Sequence, residues 1–243
     1  MLTRYYLTLR PEQPETIRME WAYPLYAALL EQLPDAVGVL QHDGQRTGLS
    51  QYVRRRPDGT LNWCVGLLGT AAELAFCPAL EQLSFLHLRR EQQTLTVLNR
   101  QTETVGSVEE LLTLPQPRRR QLHFVTPTAF KSRGTYDILP TPERMLQSLI
   151  RRWNVCIPDC PIEDEDNGGL GMLAQDLRCC GLQLWDCAYL LKGNSIPGVM
   201  GYITLENRLT GFPLQLAHGL LTFASFSGIG IKTTLGMGGI TEE

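Results

Sequence analysis

Residues 2–9 alternate apolar with polar positions and are rich in β-forming side chains, so the chain opens with a strand that Pro11 and Pro14 end. From 19 to 33 the apolar period changes: Trp21, Leu25, Ala28, Leu29 and Leu33 recur at helical spacing, and Pro34 stops the amphipathic helix they predict. A short glycine-bearing loop follows over 37–45. Residues 49–53 and 61–68 read as two strands around the turn Pro57-Asp58-Gly59. A helix over 71–82 and strands over 83–90 and 94–99 complete the order β, α, β, β, α, β of a ferredoxin-like unit. A small helix near 107–112 and the proline-marked Leu114-Pro115-Gln116-Pro117 give the natural boundary.

The second half repeats that order without repeating the sequence. Residues 121–125 predict a strand, 141–153 a helix with Thr141 as cap and Pro142 at its first position, and 182–190 and 199–205 two more strands. An apolar helix over 215–226 and a closing strand over 237–241 finish it. Residues 154–178 fit no element and read as an insertion, with Gly168-Gly169-x-Gly171 as a flexible segment. The expected fold class is α+β, two tandem ferredoxin-like (RRM-like) units over 1–115 and 119–243.

Composition sharpens this. With 243 residues, 43% of them hydrophobic, the chain buries a real core. It has no run of 18 apolar residues and Met1-Leu2-Thr3-Arg4 opens no signal peptide, so a soluble cytoplasmic protein away from membranes is expected. The net charge of −3 argues against a nucleic-acid binder until its distribution is read. Residues 1–158 carry a net +3 and 159–243 a net −6, four of those acids being Glu163-Asp164-Glu165-Asp166. Nineteen of the 22 basic residues are arginines, clustered at 54–56, 118–120 and 151–152, and arginine suits bidentate phosphate contact and stacking on bases. The seven cysteines match no familiar zinc spacing and are expected as buried reduced thiols, with no metal and no cofactor.

One motif stands apart. Gly228-Ile229-Gly230 and Gly236-Met237-Gly238 are two Gly-x-Gly clips around a five-residue spacer containing Lys232. Such glycines allow positive φ and outward-pointing N–H groups, which close approach to a phosphate backbone requires; the plain alternative is a turn between a helix and a final strand. A Walker loop fails because Ile231 precedes the lysine, and a dinucleotide fingerprint fails because no helix follows. The double clip resembles the C-terminal glycine-rich loop of the RAMP superfamily of CRISPR-associated RNA-binding proteins. The block Phe124-Val125-Thr126-Pro127-Thr128-Ala129-Phe130, then Tyr136, Pro140, Pro142 and residues 146–154, resembles the branch that cleaves CRISPR repeat RNA.

That resemblance implies a metal-independent endoribonuclease in which the RNA 2′-hydroxyl attacks the adjacent phosphate, leaving a 2′,3′-cyclic phosphate and a 5′-hydroxyl. The alternative it allows is a non-catalytic guide-RNA-binding subunit of a CRISPR ribonucleoprotein. CRISPR repeat RNA is the implied partner, other CRISPR effector subunits remain open, and the protein is expected as a monomer or homodimer. Among the four histidines, His87 and His123 read as sheet residues and His218 as a packed or capping helix residue whose proximity to the glycine loop keeps it as second choice, whereas His42 lies in a loop beside Asp43, Gly44 and Arg46 and matches the family's catalytic position. The resemblance adds Tyr26 from the first helix, with Tyr23 as fallback, and leaves Arg46 where relatives place a lysine. The implied RNA-binding set is Gly228, Gly230, Lys232, Gly236, Gly238, Arg54, Arg55, Arg118, Arg119, Arg120, Lys131 and Arg133.

Overall fold

The structure, a computed structural model, describes residues 1–13, 16–33, 47–164 and 168–242. Strand β1 (Leu2–Pro11) is the middle of a five-stranded antiparallel sheet with β2 (Leu49–Arg55), β3 (Leu61–Leu68), β4 (Phe85–Leu88) and β5 (Gln93–Val105), in the order β2-β3-β1-β5-β4. Its alternation sends Tyr5, Leu7 and Leu9 to one face, where α1 (Ala22–Leu30) and α2 (Thr70–Gln82) cover them with Leu25, Leu29, Phe76 and Leu80. With β4 as a hairpin addition at the edge, β2-β3-β1-β5 is the strand order of a ferredoxin-like unit.

A short helix α3 (Val108–Thr113), capped by the Ser107 hydroxyl, leads to the second sheet. That sheet runs β11-β6-β10-β9, built from β6 (Arg119–Thr128), β9 (Leu177–Leu191), β10 (Asn194–Asn207) and β11 (Ile240–Glu242). It is the same order in a second unit. Between β6 and α4 (Pro142–Cys156) stands the hairpin of β7 (Phe130–Ser132) and β8 (Thr135–Asp137). Thr141 caps α4 through the Arg144 amide, with Pro142 in its first turn. Helices α4 and α6 (Gly211–Ser227) cover one face, where Trp153 meets Phe223 edge-on at 5.2 Å. The tandem ferredoxin-like α+β fold is therefore present.

Several expected boundaries move. The first helix is shorter, a single 3-10 turn at Met19–Trp21 preceding α1. The segment expected as a flexible insertion instead contains helix α5 (Gly169–Asp176), whose first amides, those of Gly169 and Leu170, donate to the Asp164 carboxylate at 2.9 and 3.0 Å. That carboxylate supplies what the glycines lack in propensity. Strand β9 starts at Leu177 rather than 182, and β10 runs from Asn194.

The two units dock through backbone. Gly66 lies so near the end of α6 that a Cβ there would sit 1.8 Å from the Phe226 carbonyl oxygen. The same carbonyl accepts from the Ser50 hydroxyl, and Arg4 donates to the Ser225 carbonyl at 2.8 Å.

Candidate functional site

The glycine-rich loop sits in that junction. Gly228, Gly230, Gly236 and Gly238 all have positive φ, as does Lys232 at 56°. Most of its amides are consumed inside the protein: Ile229 donates to Gly238 O at 2.9 Å, Gly230 to Ser148 Oγ at 2.9 Å, Ile231 to Ala129 O at 2.9 Å and Gly238 to Pro127 O at 3.0 Å. The expected row of outward N–H groups is thus corrected, because a loop wedged between two domains must satisfy its own donors. The glycines serve close packing instead. A Cβ at Gly236 would stand 2.4 Å from both Ala22 Cβ and Tyr189 Oη, and one at Gly230 2.3 Å from Ala129 O. From 228 to 240 only Lys232 is exposed.

Beside this loop four elements meet at the start of β2. The Leu49 carbonyl accepts from Thr234 Oγ1 of the loop at 2.8 Å and from the Arg152 guanidinium of α4 at 2.8 Å. Next to it, Thr47 lies by Tyr26 of α1, whose buried hydroxyl has no hydrogen bond of good geometry among the described residues. Burial holds that phenol above its ordinary pKa, against the opposing pull of Thr47 and the Arg152 guanidinium. Burial likewise lowers the Arg152 pKa from its ordinary value. Tyr26 is therefore a neutral phenol. The fallback, Tyr23, points elsewhere, with the Lys192 ammonium 4.7 Å from its ring centre. His42 and Arg46 lie outside the described residues, which resume at Thr47.

The basic residues divide. Lys131 and Arg133 are exposed on the β7–β8 hairpin, which leaves β6 at Ala129 beside the glycine loop. Arg54 and Arg55 are exposed at the far end of β2 from Leu49. Arg118 and Arg119 are exposed at the opposite end of β6, about 30 Å away at strand rise. Arg120 is corrected: its guanidinium is buried against Glu242, Thr222 Oγ1 and the His218 carbonyl, tying β6 to β11 and α6, and it is not presented to a phosphate. Sequence reasoning missed Arg152 and Thr234 as site residues.

The remaining candidates fall away from the junction. His87 is exposed, 3.4 Å from Thr94 Oγ1, and His218 is buried with Nε2 unpartnered among the described residues. The thiols were expected to be buried, and Cys64 is, yet Cys179 and Cys180 are exposed and Cys187 half-buried on the open edge strand β9, while Cys160 is exposed and Cys77 and Cys156 are half-buried elsewhere. Among the described residues no three His, Cys, Asp or Glu side chains lie together as a metal site, and no helix is long and apolar enough to cross a membrane.

Two ferredoxin-like units clamped by a glycine loop define a tandem RRM-like architecture. The sequence profile of the family described as CRISPR-associated endoribonuclease Cas6 matches residues 122–240. The chain is 26% identical over 249 residues to the CRISPR-associated endoribonuclease Cas6 of Mycobacterium tuberculosis (strain CDC 1551 / Oshkosh), covering all of this chain and 78% of that one. It is 28% identical over 226 residues to that of Streptococcus thermophilus, covering 91% of each. The Cas6 (TTHB231) product complex, from Thermus thermophilus, superposes with a TM-score of 0.79 at 25% identity, over 100% of this chain and 99% of that one. The chain is thus similar, in sequence profile over residues 122–240 and at 26–28% identity over nine-tenths or more of its length, to CRISPR-associated endoribonucleases of the Cas6 type.

Proposed function

We propose that this protein is the endoribonuclease that cuts CRISPR precursor RNA within its repeat, without metal or cofactor, by 2′-hydroxyl attack on the adjacent phosphate. The observation that carries this reading is the convergence of α1, α4 and the glycine loop on the start of β2, the strand that follows His42 and Arg46 in the sequence. His42 takes the 2′-hydroxyl proton, which an imidazole does near neutral pH. Tyr26, kept neutral by burial, donates a hydrogen bond to the scissile phosphate or the departing 5′-oxygen. Arg46 offsets the phosphorane charge, and Arg152 positions Tyr26 and the first residues of β2. The P–O2′ bond forms as the P–O5′ bond breaks, the departing 5′-oxygen takes a proton from solvent, and the products carry a 2′,3′-cyclic phosphate and a 5′-hydroxyl.

The catalytic loop belongs to the unit over 1–115 and the glycine loop to that over 119–243, so RNA is held across their junction. Lys232, Lys131 and Arg133 hold phosphates near the cut, and Arg54, Arg55, Arg118 and Arg119 hold the RNA further out. The test is cleavage of repeat RNA by the wild type and His42→Ala, with a 2′-deoxy scissile nucleotide as control. We expect His42→Ala to cut about 10²–10⁴-fold more slowly at nearly unchanged binding, and the deoxy substrate to bind uncut. Tight binding with no cutting by the wild type would make the protein a guide-RNA-binding subunit instead.

A further inference from the structure

The face of the second sheet opposite α4 and α6 is paved with one row of side chains whose chemistry changes along its length. Direct cross-strand partners share a face, so the registers Glu206↔Arg119 and Glu206↔Arg178, then Tyr202↔His123, then Met200↔Trp185 place these groups in order on it. At one end Glu206 lies among exposed Arg119, Arg178 and Arg208, which together hold its carboxyl below its ordinary pKa, Arg208 most strongly. Three cations around one carboxylate leave that end positive. Past it, His123 on β6 and Tyr202 on β10 bring their ring centres to 5.5 Å at an angle of 36°, so the rings splay rather than stack on each other. Trp185 stands diagonally beyond Tyr202 on β9 and is 52% exposed, whereas Trp21, Trp63 and Trp153 are buried.

We propose that this face is a stacking platform for bases of single-stranded RNA, with Arg119 and Arg178 as phosphate anchors at its end. Aromatic rings on the two central strands of a four-stranded ferredoxin-like sheet stack unpaired bases without requiring a particular sequence, and flanking arginines take the backbone. The charge selects this occupant over an apolar partner. The position supports it as well: β6 runs from Arg119 to the residues that hold the glycine loop, so the platform bridges the two separated groups of basic residues. The inference rests on the RNA-processing reading above and extends it to the unpaired part of the RNA away from the cut.

The chain's single exposed tryptophan provides the readout. Titrating the full-length protein with short oligouridylate and oligoadenylate RNA should quench the exposed tryptophan emission. A blunt RNA duplex of equal length should not. Trp185→Leu should remove the quench, and Trp185→Leu or Tyr202→Leu should weaken single-strand binding about tenfold or more, with thermal melts confirming the fold. Unchanged emission, or equal binding by folded Trp185→Leu and Tyr202→Leu, overturns the platform even where the wild type cuts repeat RNA. Failure of the wild type to bind or cut any repeat RNA overturns the underlying reading instead. Self-association of the wild type that Trp185→Leu abolishes, with no quench by RNA, would assign the face to a second copy of this chain and overturn the proposal.

Discussion

At the residue scale, Tyr26 and His218 show opposite consequences of burying a polar side chain. Among the described residues the Tyr26 hydroxyl is buried without a well-formed hydrogen bond, a state that costs stability unless the group is used. Tyr26→Phe should leave the denaturation midpoint unchanged or slightly raised while slowing cleavage by about 10²-fold at the same RNA affinity. A packing role would give the reverse pattern, lost stability with intact rate. His218 is buried in α6 and tied to the fold through Arg120. Burial, with the charge of Arg120 second, lowers its pKa to about 4. The folded state therefore resists a proton that the unfolded chain accepts near 6.5. The stability this contributes is complete above pH 6.5 and drains away as pH falls toward 4, on the order of 2–3 kcal/mol. Urea denaturation from pH 7 to 4 should show the gap between wild type and His218→Gln shifting across that window, because glutamine does not titrate. A pH-independent gap would mean that His218 keeps its ordinary pKa.

At the element scale, the glycine loop is a hinge pin between domains before it is a ligand loop. Gly66→Ala drives a Cβ into the Phe226 carbonyl, and Gly236→Ala drives one into Ala22 and Tyr189, so each should cost about 3 kcal/mol or more. Gly134, with φ of 87° but open space around it, isolates the backbone contribution, and Gly134→Ala should cost about 1–2 kcal/mol by thermal melting. Equal losses at all three would remove close packing as the reason for the glycines. These contacts explain what the sequence could and could not reveal. The alternation of β1, the proline and glycine turns and the Thr141-Pro142 start of α4 are local signals, and both ferredoxin-like units were legible from them. The start of β9 was not, since Arg178, Cys179 and Cys180 are exposed along an edge strand and carry no alternation. Helix α5 hid behind its glycines because the group that caps it, Asp164, lies outside the helix. Arg120 read as a surface arginine because Glu242 is 122 residues away in the chain.

At the scale of the whole molecule, a protein of net charge −3 must hold RNA through local arrays of cations rather than an overall field. Binding should then depend on salt through a few discrete contacts, and Arg119→Ala should lower the slope of log affinity against log salt by about 0.7, the increment for one phosphate on a single strand. Arg120→Ala should instead leave the slope unchanged and lower stability, since its guanidinium is spent on Glu242. The reaction itself carries the molecule's most general prediction. On the proposed mechanism RNA supplies its own nucleophile, the 2′-hydroxyl beside the scissile phosphate, so the protein has to move protons and offset charge but has no water to activate. Imidazole, phenol and guanidinium are sufficient for that. Cleavage of repeat RNA in excess EDTA should therefore proceed at the rate seen with magnesium, and end-mapping should find the cyclic phosphate in both. Should chelation abolish cutting and magnesium restore it, while the 2′-deoxy substrate is still cut, the nucleophile would be water rather than the RNA, and His42 and Tyr26 would lose the roles given to them.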